Sequence, residues 1–267
     1  MQIVLETAMR VEHAPSTSWQ DVLQRIERLR HEVGHVCVVL WPVSIAISPA
    51  DWSLLDEQER HRAERFHRQQ HRERFVAAHG GMRRLLSVCT GYPARELRFL
   101  DDDASKKPRL DGYSLGFNLT HSGDWAALAV SHDGDVGLDI EEIRPVEPAL
   151  PQRYFSPQEQ AALSTLTGEE WVAGFFRAWT RKEALLKAVG AGLSLPLDAF
   201  TVTLENEAPA RLVASSLATL RPAEWNLTHV GGIPGYAGAL ATPSNVTRVS
   251  IFTVRDTVRD TARNGIE

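Results

Sequence analysis

The sequence predicts an α+β fold of two similar lobes, each a long helix packed on a small antiparallel sheet, related by a pseudo-two-fold axis with a ligand site in the cleft between them. Three observations predict it. Runs rich in β-branched residues, such as "HVCVVLWPVSIAI" and "DVGLDIEEI", alternate with long stretches whose apolar residues recur at helical spacing. The order strand, long helix, set of strands occurs twice along the 267 residues, as a duplicated unit would leave it. A chain of this length buries a substantial core, and the junction of two lobes is a natural place for a ligand.

Residues 1–35 are expected as an N-terminal extension: a short apolar opening, a polar "HAPSTS" linker, then Val22, Ile26 and Leu29 at helical spacing. The N-terminal lobe, residues 36–133, starts with the β-rich run and continues as helix from about Asp51 through "RHRAERFHRQQHRER" into "RFVAAHGGMRRLLSV". A charged loop, "DDDASKKPRLDG", leads to the strands "LGFNLTHS" and "DWAALAVS" across a Ser-Gly-Asp turn. The C-terminal lobe, residues 134–255, opens on "DVGLDIEEI", ended by Pro145, Pro148 and Pro151. A helix from "SPQEQAALSTL" breaks at Gly168 and resumes as "EEWVAGFFRAWTRKEALLKAVGAGL", and further strands follow around "FTVTL", "ARLVASS", "WNLTHV", "YAGALAT" and "VSIFTV". The tail, residues 256–267, lacks apolar periodicity and is expected to be mobile.

Composition narrows the function classes. With 43% hydrophobic and 24% charged residues and no run near the roughly 20 apolar residues of a membrane span, a membrane protein is not expected. Glu6, Arg10 and Glu12 interrupt any export signal, and Cys37 and Cys89 read as buried thiols, so the expected compartment is the cytoplasm. Net charge is -5, yet Arg60 to Arg74 holds six arginines and three histidines. Pairing with Glu64 and Glu73 explains part of this run. Nucleic acid is a poor partner for an acidic chain without interleaved stacking aromatics; a small polyanion fits. His67 and His71 have zinc-ligand spacing but no third ligand, and Trp171, Phe175, Phe176 and Trp179 read as core.

The chemistry concentrates in "VGLDIEEIRP". Val136, Leu138 and Ile140 point to one face of a strand, and Asp139 and Glu141 to the other. Two carboxylates about 6–7 Å apart at Cα repel unless water or a cation intervenes. On the later helix, Val172, Phe175, Phe176, Trp179, Leu186 and Gly190 form one stripe, with Glu183 in its middle. An ionised carboxylate there needs a partner. One reading is a Glu183–Lys187 pair one turn apart, worth a few tenths of a kcal/mol, roughly 0.2–0.5. The other joins Asp139, Glu141 and Glu183 into an all-oxygen site suited to magnesium, completed by water and phosphates.

These segments resemble the 4'-phosphopantetheinyl transferases of the two-lobed, surfactin-synthetase-activating type, over about residues 36–255. "VGLDIE" is similar to the family's Gly-x-Asp-x-Glu motif and "AWTRKEALLKAVGAGL" to its Trp-x-x-Lys-Glu-Ala-x-x-Lys motif. "FNLTHSG" resembles Phe-Asn-x-Ser-His-Ser, with Thr120 replacing a serine. "KKPRL" resembles the Gly-Lys-Pro segment, with Lys106 in place of glycine. "GLSLPLDAF" matches as well.

The resemblance implies transfer of the phosphopantetheine arm of coenzyme A to a serine of an apo carrier protein, with release of 3',5'-ADP. It implies Mg2+, with Mn2+ the alternative, on Asp139, Glu141 and Glu183, and catalytic roles for Glu183, Lys187 and Asp139. The base would be Glu183 or a metal-bound water, and Lys187 would stabilise the departing oxygen. Coenzyme A contacts carried over are Arg62, Arg74, Lys107, Pro108, Thr120, His121, Ser122, Lys182 and Lys187. A further lysine of some members falls on Glu59. The implied state is a monomer. Two other classes compete: a module that binds coenzyme A or carrier without transfer, and a metal-dependent phosphohydrolase with water as acceptor.

Overall fold

A computed structural model describes residues 9–15, 17–43, 47–100, 107–206 and 209–255. It contains β1 (Arg10–His13), α1 (Trp19–Leu29), β2 (His35–Pro42), α2 (Pro49–Leu54), α3 (Glu57–Glu64) and α4 (Gln69–Thr90). A two-stranded ribbon, β3 (Phe99–Leu100) with β4 (Arg109–Leu110), precedes the hairpin β5 (Gly116–Ser122) and β6 (Trp125–Ser131). Then come β7 (Gly137–Glu142), α5 (Leu150–Tyr154), α6 (Pro157–Ser164) and α7 (Gly168–Ala188). The strands β8 (Phe200–Val202), β9 (Leu212–Ser215), β10 (Trp225–His229), β11 (Tyr236–Pro243) and β12 (Arg248–Thr253) complete the described elements.

The strands form a five-stranded sheet in the order β1-β12-β2-β6-β5 and a three-stranded antiparallel sheet β10-β11-β7, with two ribbons beside them. The larger sheet is mixed: β12 runs parallel to both β1 and β2, while β2, β6 and β5 alternate. α4 packs on it through Met82, Leu85 and Leu86, which share a core with Trp41, Phe117 and Leu128. α7 packs on the smaller sheet through Phe176, Leu185 and Ala188 against Ala237, Ala239 and Ala241. Among the described residues no helix is long and apolar enough to cross a membrane.

Three expectations change. The segment before residue 36 is no appendage where it is described, because Val22 and Ile26 are fully buried in the core of the larger sheet and Trp19 packs on Trp41 with ring centroids 5.7 Å apart. The larger sheet is not purely antiparallel and is not built from the first half alone, since β12 returns to lie between β1 and β2. The basic segment is not one helix: Asp56 and Glu59 form a capping box, each side chain bonding the other's backbone N–H at 2.9 and 3.2 Å, so α3 starts afresh. A second break at 65–68 precedes α4. The tail at 256–267 lies outside the described residues.

Candidate active site

The glycine of "VGLDIE" sets the site. A Cβ on Gly137 would lie 1.9 Å from the carbonyl oxygen of Ala184, so only glycine lets β7 come this close to α7. Leu138 and Ile140 then enter the core beside Val38 and Leu40, and Asp139 and Glu141 face the other way, as alternation requires. That contact brings Glu183 and Lys187 to the acidic face of β7.

Asp139 is 4% exposed. Its Oδ1 accepts from Lys187 Nζ at 2.6 Å and from the Thr120 hydroxyl at 3.3 Å, while its Oδ2 is buried with no hydrogen-bond partner. Burial pushes its carboxyl up to about 7; Lys187 opposes this, and the nearby charges of Glu141 and Glu183 add to it. Glu183 is also pushed up, first by burial, against the pull of Lys187 and with the push of Glu141, and its Oε1 is buried without a partner. The three acids thus share one electrostatic environment, although no three such side chains among the described residues are already gathered as a metal cage.

Lys187 does not stitch the helix to Glu183 as the spacing suggested. Its Nζ donates to Asp139, to Thr120 Oγ1 at 3.2 Å and to the Leu138 carbonyl at 3.2 Å, and only its longer-range field reaches Glu183. Lys182 has a different fate from the one expected of it. It is fully buried, and its ammonium is closed by Glu159 Oε2 at 2.8 Å and the carbonyls of Leu197 and Phe200 at 2.7 and 2.5 Å. A cation so enclosed holds α6 and the β8 region to α7 and has no face left for coenzyme A.

The hairpin β5–β6 carries the next groups. Asn118, Thr120 and Ser122 lie on one face of β5 and reach β7: Asn118 Oδ1 accepts the Leu138 N–H at 2.7 Å, and the Ser122 hydroxyl donates to Glu141 Oε2 at 2.7 Å. His121 faces away from them. Its imidazole is held below its ordinary range by the surrounding protein and then by the fields of His79, Lys187, Arg74 and Arg62, so cations from α3, α4 and α7 converge on it.

Arg74 donates to Asp124 at 2.6 Å, and its Nε is buried without a partner. Arg62 sits over the Phe75 ring at 5.3 Å and lines a concavity of about 440 Å3 with Arg65 and Phe66. Lys107 is buried beside the start of β7, donating to the Val136 carbonyl at 2.8 Å with Asp135 at 3.3 Å, and Pro108 is exposed next to it. Lys106 lies outside the described residues. Glu59, which stands where some members of the family have a lysine, binds Arg83 and His79 at 2.5 and 2.7 Å. A larger concavity of about 740 Å3, lined by Tyr92, Arg95, Arg98 and Tyr113 among others, contains none of the predicted site residues. Sequence reading missed Tyr236, whose hydroxyl accepts the Asp124 N–H at 3.1 Å. Nothing local marks it; Asn118 was missed as well, although alternation along "FNLTHS" puts it on the same face as Thr120 and Ser122.

Residues 135–241, which carry all three acids, match the family model described as the 4'-phosphopantetheinyl transferase superfamily. Residues 43–133, which carry the arginines and the β5–β6 hairpin, match a model described as 4'-phosphopantetheinyl transferase, N-terminal. The chain is 37% identical over 164 residues to the 4'-phosphopantetheinyl transferase HetI of Nostoc sp., an overlap of 59% of this chain and 68% of that protein. The chain belongs to the 4'-phosphopantetheinyl transferase family. Relatives of this transferase also include psf-1 of Bacillus pumilus, 37% identical over 49% of this chain and 56% of that protein, and Sfp of Bacillus subtilis, 29% identical over 58% and 69%. The two family models abut between β6 and β7, so the transferase's acids and arginines come from different matched segments that the fold brings together.

Proposed function

We propose that this transferase moves the 4'-phosphopantetheine arm of coenzyme A onto a serine of an apo acyl or peptidyl carrier protein, releasing 3',5'-ADP. One observation carries the reading: two buried carboxylate oxygens, Asp139 Oδ2 and Glu183 Oε1, stand without partners on neighbouring acids that share the field of Lys187. Orphaned buried anionic oxygens are expensive unless a cation joins them. The donor set is all oxygen and fits Mg2+ or Mn2+. Held by Asp139, Glu141 and Glu183, such an ion supplies charge neutralisation at a diphosphate.

The chain's own groups supply the rest. The carrier serine oxygen bonds to the β-phosphorus, the bond from that phosphorus to the bridging oxygen breaks, and 3',5'-ADP leaves with the bonding pair. Glu183 takes the serine proton at Oε1, the oxygen that has no hydrogen-bond partner. Lys187, 29% exposed at its side chain, would turn its ammonium from the Thr120 hydroxyl and the Leu138 carbonyl, each at 3.2 Å, to the departing oxygen while keeping Asp139. Arg62, Arg74 and His121 receive the nucleotide phosphates, arginine's planar fork being suited to them. Lys107 and Pro108 border the same side.

We also infer that the two lobes are related by a pseudo-two-fold axis with the ligand between them. Each long helix buries one cation closed by the capping-box glutamate of the preceding short helix: Arg83 with Glu59, and Lys182 with Glu159. A fused pair of this kind works as a monomer, and buried free thiols at Cys37 and Cys89 suit the cytoplasm.

The test is to incubate the protein with coenzyme A, Mg2+ and an apo carrier domain and weigh the carrier by mass spectrometry. Gain of one phosphopantetheine is expected. Free 3',5'-ADP with an unmodified carrier would make the protein a hydrolase, and binding without chemistry would make it a module. Asp139→Ala and Glu183→Ala are each expected to abolish transfer with the far-UV circular dichroism unchanged; wild-type turnover by either overturns the assignment of the acids.

A further inference from the structure

We infer that Ser122 is a positioning residue that holds Glu141 in place, and not a contact of the coenzyme A phosphates. This inference rests on the metal reading above. β5 is the edge of the larger sheet and β7 the edge of the smaller one. Side chains of β5 bridge them: Asn118 Oδ1 takes the Leu138 N–H, and Ser122 Oγ takes the Glu142 N–H at 3.1 Å. A backbone N–H can only donate, so the Ser122 oxygen is the acceptor there, and its single proton goes to Glu141 Oε2 at 2.7 Å. A carboxylate can only accept, so the direction of that bond is settled as well. The hydroxyl's only proton is therefore spent on Glu141, and a phosphate oxygen, which needs that proton, would have to displace Glu141 to bond it.

The turn that follows keeps the serine where it is. Gly123 has φ +52°, and a Cβ there would lie 2.4 Å from the Tyr236 hydroxyl and 2.6 Å from Glu142 Oε2. The Tyr236 hydroxyl in turn accepts the Asp124 N–H. The hairpin is thus pressed onto β7 and β11 at the residue next to Ser122. Groups that orient metal-ligating side chains typically change metal affinity by about 10–100-fold when removed.

The experiment compares wild type, Ser122→Ala, Ser122→Thr and Ser122→Cys. Mn2+ affinity is read by EPR counting of free ion with coenzyme A present, and coenzyme A affinity by calorimetry in EDTA. Ser122→Ala is expected to weaken Mn2+ by about tenfold or more and to leave metal-free coenzyme A binding unchanged. Ser122→Thr, which keeps the hydroxyl, should restore the metal affinity. Ser122→Cys keeps the side chain's bulk with a weak donor and should behave like alanine, which keeps the test open if the alanine variant does not fold. Unchanged Mn2+ affinity with weakened coenzyme A binding assigns Ser122 to the phosphates and overturns the inference. A wild type that takes up no Mn2+ overturns the metal reading itself, a result distinct from the first.

Discussion

α4 and α7 each sink a cation out of solvent, yet the two helices part company one residue beyond it. Arg83 is enclosed: it bonds Asp56, Glu59 and the carbonyls of Ala94 and Leu97. Lys182 is enclosed in the same manner by Glu159, Leu197 and Phe200. Beside Lys182 stands Glu183, with an oxygen that has no partner, facing Asp139 with another. Asp139 is as buried as the framework cations and Glu183 is half-buried with its Oε1 out of solvent, so burial alone does not separate framework from chemistry. Unfilled hydrogen-bonding capacity does, because a framework ion pair is stable only when every valence is met.

The contrast is broken most sharply by removing one lysine at a time. Lys182→Ala leaves Glu159, 1% exposed, without its cation and is expected to destabilise the fold by about 3–5 kcal/mol in urea unfolding. Lys187→Ala removes a partly exposed ammonium and should leave the fold standing while lowering kcat by about 100-fold or more. If Lys187→Ala unfolds the protein and Lys182→Ala merely slows it, the two roles are reversed.

Gly137→Ala tests how closely the acidic strand must approach α7. The added methyl meets backbone at Ala184 and Ala188, which cannot swing aside, so a loss of about 1–3 kcal/mol and of most activity is expected. A crystal structure of the variant should show β7 displaced from the helix.

A subtler sign comes from pH. Asp139 binds its proton more tightly in the folded protein than in the unfolded chain, where a carboxyl titrates near 4. The charged form therefore destabilises the fold as pH rises from about 4 to about 7, and the deficit levels off above that range. Without divalent ions, Asp139→Asn should raise the thermal midpoint by about 2–4 °C at pH 8 and by nothing at pH 4. Equal midpoints at both pH values would remove the burial strain ascribed to this residue.

The smallest effect is expected at the rim. Asp124 is half-exposed beside Arg74, so Asp124→Asn should change stability by less than about 1 kcal/mol. Its use is to sharpen the account of Arg74: with the competing carboxylate neutralised, coenzyme A binding should strengthen, read as a lower Kd.

Much of this was visible before any coordinates. Alternation in "VGLDIE" separated Leu138 and Ile140 from Asp139 and Glu141, and Gly168 interrupted the helical pattern where α6 and α7 divide. The helical stripe placed Phe175, Phe176 and Leu186 in the core. The surroundings of Lys182 were not legible, because both lysines of "RKEALLK" look alike in one dimension. The continuous basic helix was misread because charge patterning does not reveal that Asp56 ends one helix and caps the next.

By itself the sequence determined which runs form strands and helices outside the basic segment, which acids share a face, and where the family's motifs stand. These depend on periods of two and 3.6 residues and on caps that act within a turn. Only the tertiary structure decided the partners: Lys187 turns to Asp139, 48 positions away, and to Thr120, 67 positions away, while Lys182 is sealed behind Glu159. The physical reason is that a charged group's role is set by desolvation and by whichever dipoles surround it, and packing alone brings those from distant parts of the chain.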